Sequence, residues 1–190
     1  MTTNSPMKRS FFPDEDDLIL QAKSGDAAAV AELYDQNHEG VFRFLWSRTR
    51  DRQLAEDLTS EVFVRMVSAL QDYDQRGFAI RVWLFRIARN LLTDHFRKQA
   101  GQPEAGSDAE ESTFMEPDLV EDQVDMKISK ENLLSAIEKI SQTHQEVVVL
   151  RFINGLSIKD TAKILDKSVS SVKALQHRGL LALRAVLSEE

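Results

Sequence analysis

Apolar side chains recur every three or four residues along most of this chain, which is the spacing of one face of an α-helix. The pattern is absent from residues 1–13 and 99–127. It therefore predicts an all-α protein with two small helical domains, at residues 14–98 and 128–188, joined by a flexible linker. Residues 1–13 are expected to form a flexible N-terminal arm.

The first domain is expected to contain four helices. Gly25 should end the first helix, Asp26 can cap the second, and a break near Asp51 should separate the second from the third. The fourth is predicted from about residue 78 to residue 98. The expected core positions of the second helix are Val30, Leu33, Tyr34, Val41, Phe42, Leu45 and Trp46.

The second domain is expected to contain four helices, of which the last two form a helix-turn-helix at residues 156–184. Ser157 and Asp160 have the spacing of a capping box at the start of a short helix. Asp166 suits a left-handed turn, and Ser168 can cap a longer second helix. Upstream, Thr143 and Glu146 have the spacing of another capping box.

The longer helix of the helix-turn-helix has an apolar side and a polar, cationic side. Its apolar positions, which should face the short helix, are Val169, Val172, Gly179, Leu180 and Leu183. The opposite side carries Ser170, Lys173, Ala174, His177 and Arg178. A polar and cationic helix face of this kind fits the major groove of DNA. The alternative is an ordinary helical hairpin with a solvated face.

The predicted fourth helix carries a second candidate surface for nucleic acid. Arg86, Asn90, Thr93 and Arg97 follow one another at helical spacing and form one polar stripe. Aromatic residues lie between the cations of this segment, a combination that suits single-stranded nucleic acid. The alternative is that the aromatic rings belong to the core and the arginines form a solvated rim.

Composition excludes several classes of protein. The 190 residues include no cysteine, which excludes disulfides and cysteine-ligated zinc and fits a reducing cytoplasm. No apolar run reaches membrane-spanning length, and no signal-peptide core is present. The four histidines are scattered and no glycine-rich phosphate loop occurs, so no enzyme, metal site or cofactor is predicted.

The net charge of -7 is unevenly distributed. Residues 101–128 carry nine acidic residues and one basic residue, whereas residues 129–190 carry nine basic and seven acidic residues. The acidity therefore belongs to the predicted linker, and the second domain is mildly basic, as a DNA-binding domain requires.

Three segments resemble bacterial RNA polymerase sigma factors of the extracytoplasmic-function class, in that family's order and spacing. They are AEDLTSEVFVRM at residues 55–66, VWLFRIARNLLTDHFRK at 82–98, and QEVVVLRFINGLSIKDTAKIL with SVSSVK at 145–173. The resemblance implies a dissociable polymerase subunit. Its first domain would bind the core enzyme and open the start-site-proximal promoter element, and its second would read the upstream element as duplex.

The resemblance also assigns roles within the first domain. The third helix matches the family's clamp-binding segment, with Asp57, Leu58, Glu61, Val62 and Arg65. Asp57, Glu61 and Arg65 should lie on its exterior, and Leu58 and Val62 are also expected core positions. The loop at residues 71–77 and the following helix match the base-capture region, where an asparagine amide can bond a flipped base and arginines can hold phosphates. The residues so assigned are Tyr73, Arg76, Phe78, Arg86, Arg89, Asn90, Thr93 and Arg97.

In the helix-turn-helix, the resemblance assigns duplex contacts to Ser168, Ser170, Ser171, Lys173, Ala174, His177 and Arg178. The chain departs from the family where relatives often carry Ser-Arg-Leu, because Ala174, Leu175 and Gln176 occupy these positions. The exchange of apolar and polar positions predicts an upstream specificity that differs from the family's usual one.

The partners implied by the resemblance are the RNA polymerase core enzyme, promoter DNA and an anti-sigma factor. The expected location is the bacterial cytoplasm, on the nucleoid when active, without membrane insertion. The acids of the linker are open to two interpretations, a nucleic-acid mimic in a polymerase channel or a shield that keeps the free protein off DNA. A stand-alone helix-turn-helix regulator is the alternative function, although it gives no reason for the polar stripe of the fourth helix.

Overall fold

The computed structural model describes residues 15–74, 78–99 and 130–188, and all regular secondary structure in these ranges is helical. The predicted all-α class with two helical domains is confirmed. The predicted N-terminal arm, the acidic linker and Arg76 lie outside the described residues.

The first domain consists of four helices. They are α1 (Glu15–Lys23), α2 (Ala27–Thr49), α3 (Arg52–Ala69) and α4 (Ile80–Gln99), and a 3₁₀ turn, Leu70–Asp72, follows α3. The second domain contains α5 (Lys130–Lys139), α6 (Gln142–Val148), α7 (Ile158–Leu165) and α8 (Val169–Ser188), with a π-helical turn, Val149–Ile153, after α6.

Side-chain caps explain where α2 and α3 begin. Asp26 Oδ1 accepts a hydrogen bond from the Ala28 N–H at 2.8 Å, and Asp51 Oδ1 accepts one from the Leu54 N–H at 3.1 Å. Each bond satisfies a backbone donor that the helix itself cannot pair. Arg50 ends α2 in the left-handed conformation with φ 57°, so the predicted break before α3 is confirmed.

The core of the first domain lies where α2, α3 and α4 meet. Phe44 and Phe85 are both buried and pack edge to face, with ring centroids 5.6 Å apart. The predicted core position Tyr34 is wrong, because 41% of this residue is exposed. Its ring packs at the surface against His38 and Phe63, while Leu33 points inward.

The helix-turn-helix has the predicted caps and turn. Ser157 Oγ accepts a hydrogen bond from the Asp160 N–H at 3.0 Å, and Asp166 adopts the left-handed conformation with φ 53°. Ser168 Oγ accepts a bond from the Ser171 N–H at 3.1 Å at the start of α8. These local bonds fix the point at which each helix of the pair begins.

The packing of α8 differs from the prediction at three positions. Val169 and Leu180 are 38% and 39% exposed and so do not join the core. Gly179 is buried against α6 rather than α7, because a Cβ atom there would lie 3.2 Å from Val148 Cγ2 and 3.3 Å from His144 Cβ. Glycine permits this close approach at a cost in helix propensity of about 1 kcal/mol against alanine.

The predicted capping box of Thr143 and Glu146 is wrong. Helix α6 begins at Gln142, and its N-cap residue Ser141 makes no side-chain cap bond. The carboxylate of Glu146 instead pairs with the Arg48 guanidinium in α2, at 2.9 Å. The two domains meet at this point, where α2 approaches α6 and α4 packs against α7.

Candidate nucleic-acid interface

An open pocket of about 500 Å³ lies between the first half of α4 and the turn that follows α3. Its volume is in the range of ordinary small-molecule sites and is large enough for one nucleobase. The lining combines aromatic rings, carboxylates, a guanidinium and an amide, from Ala69, Asp72, Tyr73, Asp74, Phe78, Trp83, Arg86, Ile87 and Asn90.

Tyr73 forms a fixed part of the pocket wall. Its ring stacks on Trp83 with centroids 4.8 Å apart, and its hydroxyl donates a hydrogen bond to the Phe78 carbonyl. Burial, reinforced by the charges of Glu15, Asp16 and Asp74, raises the pKa of Tyr73 to about 12. The hydroxyl therefore remains a protonated donor at neutral pH and is already used within the wall.

Arg86 and Asn90 bring polar groups to the same pocket. The Arg86 guanidinium lies over the Phe78 ring at 5.0 Å from the centroid, and Asn90 is exposed one turn further along α4. The rest of the predicted stripe continues away from the pocket. Thr93 Oγ1 donates to the Arg89 carbonyl at 2.9 Å, and Arg97 lies 3.6 Å from Asp94.

Arg89 has a different environment from the other predicted DNA-contacting residues of α4. Its Nε lies 3.8 Å from Glu146 Oε2 in the second domain, and 29% of its side chain is exposed. The helical period turns Arg89 away from the stripe that contains Arg86 and Asn90. Arg89 is therefore at the domain boundary in this structure.

The outer face of α3 carries the predicted charged residues. Glu61 Oε1 and Arg65 Nε are 2.8 Å apart, and the Gln53 side chain donates to Asp57 Oδ1 at 3.0 Å. Exposed i,i+4 pairs of this kind contribute only a few tenths of a kcal/mol, so the face is not explained by its contribution to stability.

Two predicted members of the α3 surface lie elsewhere, and two apolar members were missed. Val62 is 0% exposed and Leu58 is half-buried against the core, so both predicted core positions are confirmed, whereas the assignment of Val62 to a contact surface is wrong. Val64 and Val67 are 59% and 52% exposed beside the charged row. A projection at 100° per residue places Val64 within about 20° of Asp57, so the sequence contained the signal.

The predicted duplex-contacting residues lie along the N-terminal half of α8. Ser168, Ser170, Lys173 and His177 are exposed, while Ser171 and Ala174 are half-buried beside them. Arg178 is exposed, and its Nε donates to the Ala174 carbonyl at 3.4 Å. Leu175 is buried in the domain, so the exchanged apolar position contributes to the core rather than to the exposed face.

In residues 15–74, 78–99 and 130–188, no three His, Asp or Glu side chains come together in a way that could hold a metal ion. No helix within these ranges combines the length and apolar character that a membrane span needs.

Comparison with known sequences identifies both domains. The family described as Sigma-70 region 2 matches residues 33–102, and the family described as Sigma-70, region 4 matches residues 130–183. SigX of Bacillus subtilis, an ECF RNA polymerase sigma factor, is 35% identical over 158 residues, which is 80% of each chain. BldN of Streptomyces coelicolor, also an ECF sigma factor, is 33% identical over 174 residues. The match covers 92% of this chain and 66% of the length of BldN.

Solved structures show the same fold. CnrH, solved in complex with the cytosolic domain of CnrY, superposes with a TM-score of 0.69 at 26% identity and covers 93% of this chain and 99% of its own. The sigma factor RpoE of Bartonella quintana, solved with the anti-sigma factor NepR, superposes with a TM-score of 0.64 at 19% identity. It covers 83% of this chain and 96% of its own, and the likeness extends to the fold alone.

Proposed function

Because this chain belongs to the extracytoplasmic-function class of RNA polymerase sigma factors, we propose that it binds the polymerase core enzyme and directs initiation at specific promoters. The observation that carries the proposal is the combination of the α4 pocket and the helix-turn-helix in one chain. A subunit that both opens and positions promoter DNA needs one site for an unpaired base and another for duplex. The proposed function involves no catalysis. The protein would act in the cytoplasm and would be bound to the nucleoid when active.

The pocket beside α4 is the proposed site for a base flipped out of the start-site-proximal element. The stacked rings of Tyr73 and Trp83 supply an apolar wall, and base-on-aromatic stacking contributes about 1–3 kcal/mol per base. The amide of Asn90 can both donate and accept hydrogen bonds at the edge of a base. Arg86 is held over Phe78 at the pocket and can neutralise an adjacent phosphate.

The outer face of α3 is the proposed contact with the polymerase core. It carries two acidic residues and one basic residue at four-residue spacing, with Val64 exposed beside them. A charged row gives orientation and rapid association, while exposed apolar residues supply the area that is removed from water. Asp57, Glu61, Arg65 and Val64 are the residues assigned to this contact.

Helix α8 is the proposed reader of the upstream promoter element. Its exposed N-terminal half carries short hydroxyl side chains at Ser168 and Ser170, which allow close approach to DNA, and Lys173 as a cation. His177 continues the same exposed face, and Arg178 lies nearer the phosphate backbone. The hydroxyl groups of Ser168 and Ser170 are 3.0 Å apart at the point where the helix would enter the groove.

An anti-sigma factor is the proposed regulatory partner. CnrH, which shares this fold at 26% identity, was solved with the cytosolic domain of a second protein, CnrY. The exposed apolar residues of α8, Leu180 and Leu181, lie beyond His177 along the helix and offer a surface for such a partner.

Transcription with purified components tests the proposed function. The chain is added to polymerase core enzyme without any other sigma factor, and specific run-off products are sought from a linear genomic library. Core-dependent products with defined start sites are expected. A chain that bound one duplex sequence tightly without core and gave no initiation would instead be a stand-alone helix-turn-helix regulator.

A further inference from the structure

Helix α1 bonds to both walls of the pocket beside α4, although no residue of α1 lines that pocket. Leu18, Ile19 and Ala22 are buried in the core of the first domain and fix the helix there. The polar residues at its two ends, Glu15 and Lys23, reach the segments that build the pocket. The helical rise places these two residues about 12 Å apart along the axis.

The ammonium group of Lys23 holds the turn that follows α3. Its Nζ donates hydrogen bonds to the Tyr73 carbonyl at 2.6 Å and to the Gln71 carbonyl at 3.2 Å. In return, Gln71 Nε2 donates to the Lys23 carbonyl at 2.5 Å. That carbonyl is one of the last four of α1, which have no partner within the helix. The three bonds therefore join the end of α1 to the turn that carries Tyr73.

The backbone position of Tyr73 determines one wall of the pocket. The Tyr73 ring is the surface that stacks on Trp83, and Lys23 Nζ lies 6.0 Å from the centroid of the same ring. A shift of the turn would move this ring relative to Trp83. The bonds of Lys23 therefore act on the aromatic surface that is proposed to receive a base.

The carboxylate of Glu15 holds the other wall. Its Oε1 accepts a hydrogen bond from the N–H of Ile80, the first residue of α4, at 3.0 Å. The first N–H groups of a helix have no partner within it, and the helix dipole favours a negative charge at this end. Glu15 thus caps α4 from another helix and stabilises its first turn, which carries Trp83.

Pairing between neighbours in sequence does not explain these two side chains. The partners of Lys23 lie 48 and 50 residues away, and the partner of Glu15 lies 65 residues away. Contact with DNA does not explain them either. The ammonium of Lys23 is directed at backbone carbonyls, and phosphates repel a carboxylate such as that of Glu15. The two residues have in common only that each holds one wall of the pocket.

We propose that Lys23 and Glu15 are positioning residues for base capture, because their contacts from α1 hold the two walls of the pocket at the separation that a flipped base needs. Neither residue touches the base. Walls that are fixed in advance spare the cost of ordering them when the base enters. The role in promoter opening rests on the proposed function, whereas the fixed geometry of the pocket in the free chain does not.

Fluorescence of Trp83 tests the α1 contacts in the free chain. The chain contains two tryptophans, so the substitution Trp46→Phe leaves Trp83 as the sole one. Acrylamide quenching is measured in this background for Lys23→Met and for Glu15→Ala. Both should raise the quenching constant and shift the emission to longer wavelength. In Lys23→Met the indole loses its fixed stacking partner, and in Glu15→Ala the first turn of α4 loses its cap.

Each variant has a matched control. Lys98→Met removes an exposed ammonium at the end of α4, and Asp17→Ala removes an exposed carboxylate from the same turn of α1 as Glu15. Both controls should quench like the parent. Quenching equal to that of the control in either test variant overturns the proposal. Should circular dichroism show that Lys23→Met loses helical content, Glu15→Ala and its control decide the question alone.

Promoter opening by the holoenzyme tests the role in base capture. The equilibrium constant for opening, measured by permanganate reactivity of unpaired thymines, should fall about tenfold or more in Lys23→Met, the equivalent of one hydrogen bond to a charged group. Core affinity should be unchanged, and so should the dependence of opening on salt. A decrease of about one in the salt slope would make Lys23 a phosphate contact and overturn its positioning role.

A double variant distinguishes positioning from a general loss of stability. Because Lys23 is proposed to act through the pocket, Lys23→Met should cost little once Asn90→Ala has removed the contact with the base. The loss in the double variant should then be smaller than the product of the two single losses. A loss equal to that product overturns the proposal. A failure of the proposed function appears differently, as a parent that opens no promoter while the differences in Trp83 quenching persist.

Discussion

Arg151 Nε donates a hydrogen bond to Gln176 Oε1 at 2.9 Å, and this bond ties the π-helical turn to the middle of α8. A second donor of the same guanidinium reaches the Leu156 carbonyl at the entrance to the helix-turn-helix. Gln176 lies within the segment where the chain departs from the family's usual sequence. The structure gives it a partner inside the domain, so it is oriented by Arg151 rather than offered to DNA.

Gln176→Ala should therefore affect stability more than recognition. Loss of a hydrogen bond to a charged group should lower the free energy of unfolding by about 1.5–3 kcal/mol, as measured in urea. Affinity of the holoenzyme for its upstream element should stay within about twofold, since Gln176 does not face the groove. Gln36→Ala, which removes an exposed bond to Glu32 within α2, is the control and should change stability by under about 0.5 kcal/mol.

Lys173→Ala should show the opposite behaviour. Lys173 is exposed on the same helix, so its removal should leave the free energy of unfolding nearly unchanged. Affinity for the upstream element should fall, and the dependence of log affinity on log salt should decrease by about one if Lys173 holds a phosphate. Arg184→Ala, at the far end of α8, is the control. Equal salt slopes for the parent and Lys173→Ala would remove Lys173 from the phosphate contacts.

Reversal of the acidic residues on α3 should weaken association with the core enzyme. Asp57 and Glu61 share the exposed row with Arg65, and replacing both with lysine turns a mixed row into a basic one. Thermal unfolding should change little, because exposed charges on a helix contribute little to stability. Fluorescence titration against core enzyme measures the effect. The control replaces two exposed acids of α2, Glu32 and Asp35, with lysine, and core affinity equal in both variants would exclude this face.

Asn90→Ala should impair promoter opening while leaving core binding intact. A flipped base that loses its hydrogen-bond partner should cost about 1–3 kcal/mol of open-complex stability. Permanganate reactivity of unpaired thymines reports opening, and core titration reports binding. Gln99→Ala at the end of the same helix is the control. Opening by Asn90→Ala at the level of this control would show that the pocket edge does not read a base.

The features that the sequence predicted correctly are those determined by neighbouring residues. The caps at Asp26 and Ser157, the break near Asp51 and the left-handed turn at Asp166 each depend on a few adjacent residues. The helical period also predicted the position of Asn90 relative to Arg86. Such features depend on local interactions and do not depend on how the helices and domains pack together.

The errors arose where the tertiary structure chooses among locally equivalent arrangements. Glu146 has the spacing of a capping residue, but a buried guanidinium of the other domain is a stronger partner than an exposed backbone N–H. Val62 was predicted both as a core position and as a contact residue, and only the first is correct, because it lies a rotation of 100° from Glu61 and inside the core. Tyr34 was predicted on the buried side of α2. It lies at the edge of that side, where its ring is partly exposed.

Gly40 lies in the middle of α2, where alanine would stabilise the helix by about 1 kcal/mol. The methyl group of that alanine would lie 3.2 Å from Asn154 in the other domain. An engineer who sought heat resistance by optimising each helix separately would choose this substitution early. The improved helix would then carry a steric defect at the domain boundary, so thermostability at this site has to be designed on the whole chain.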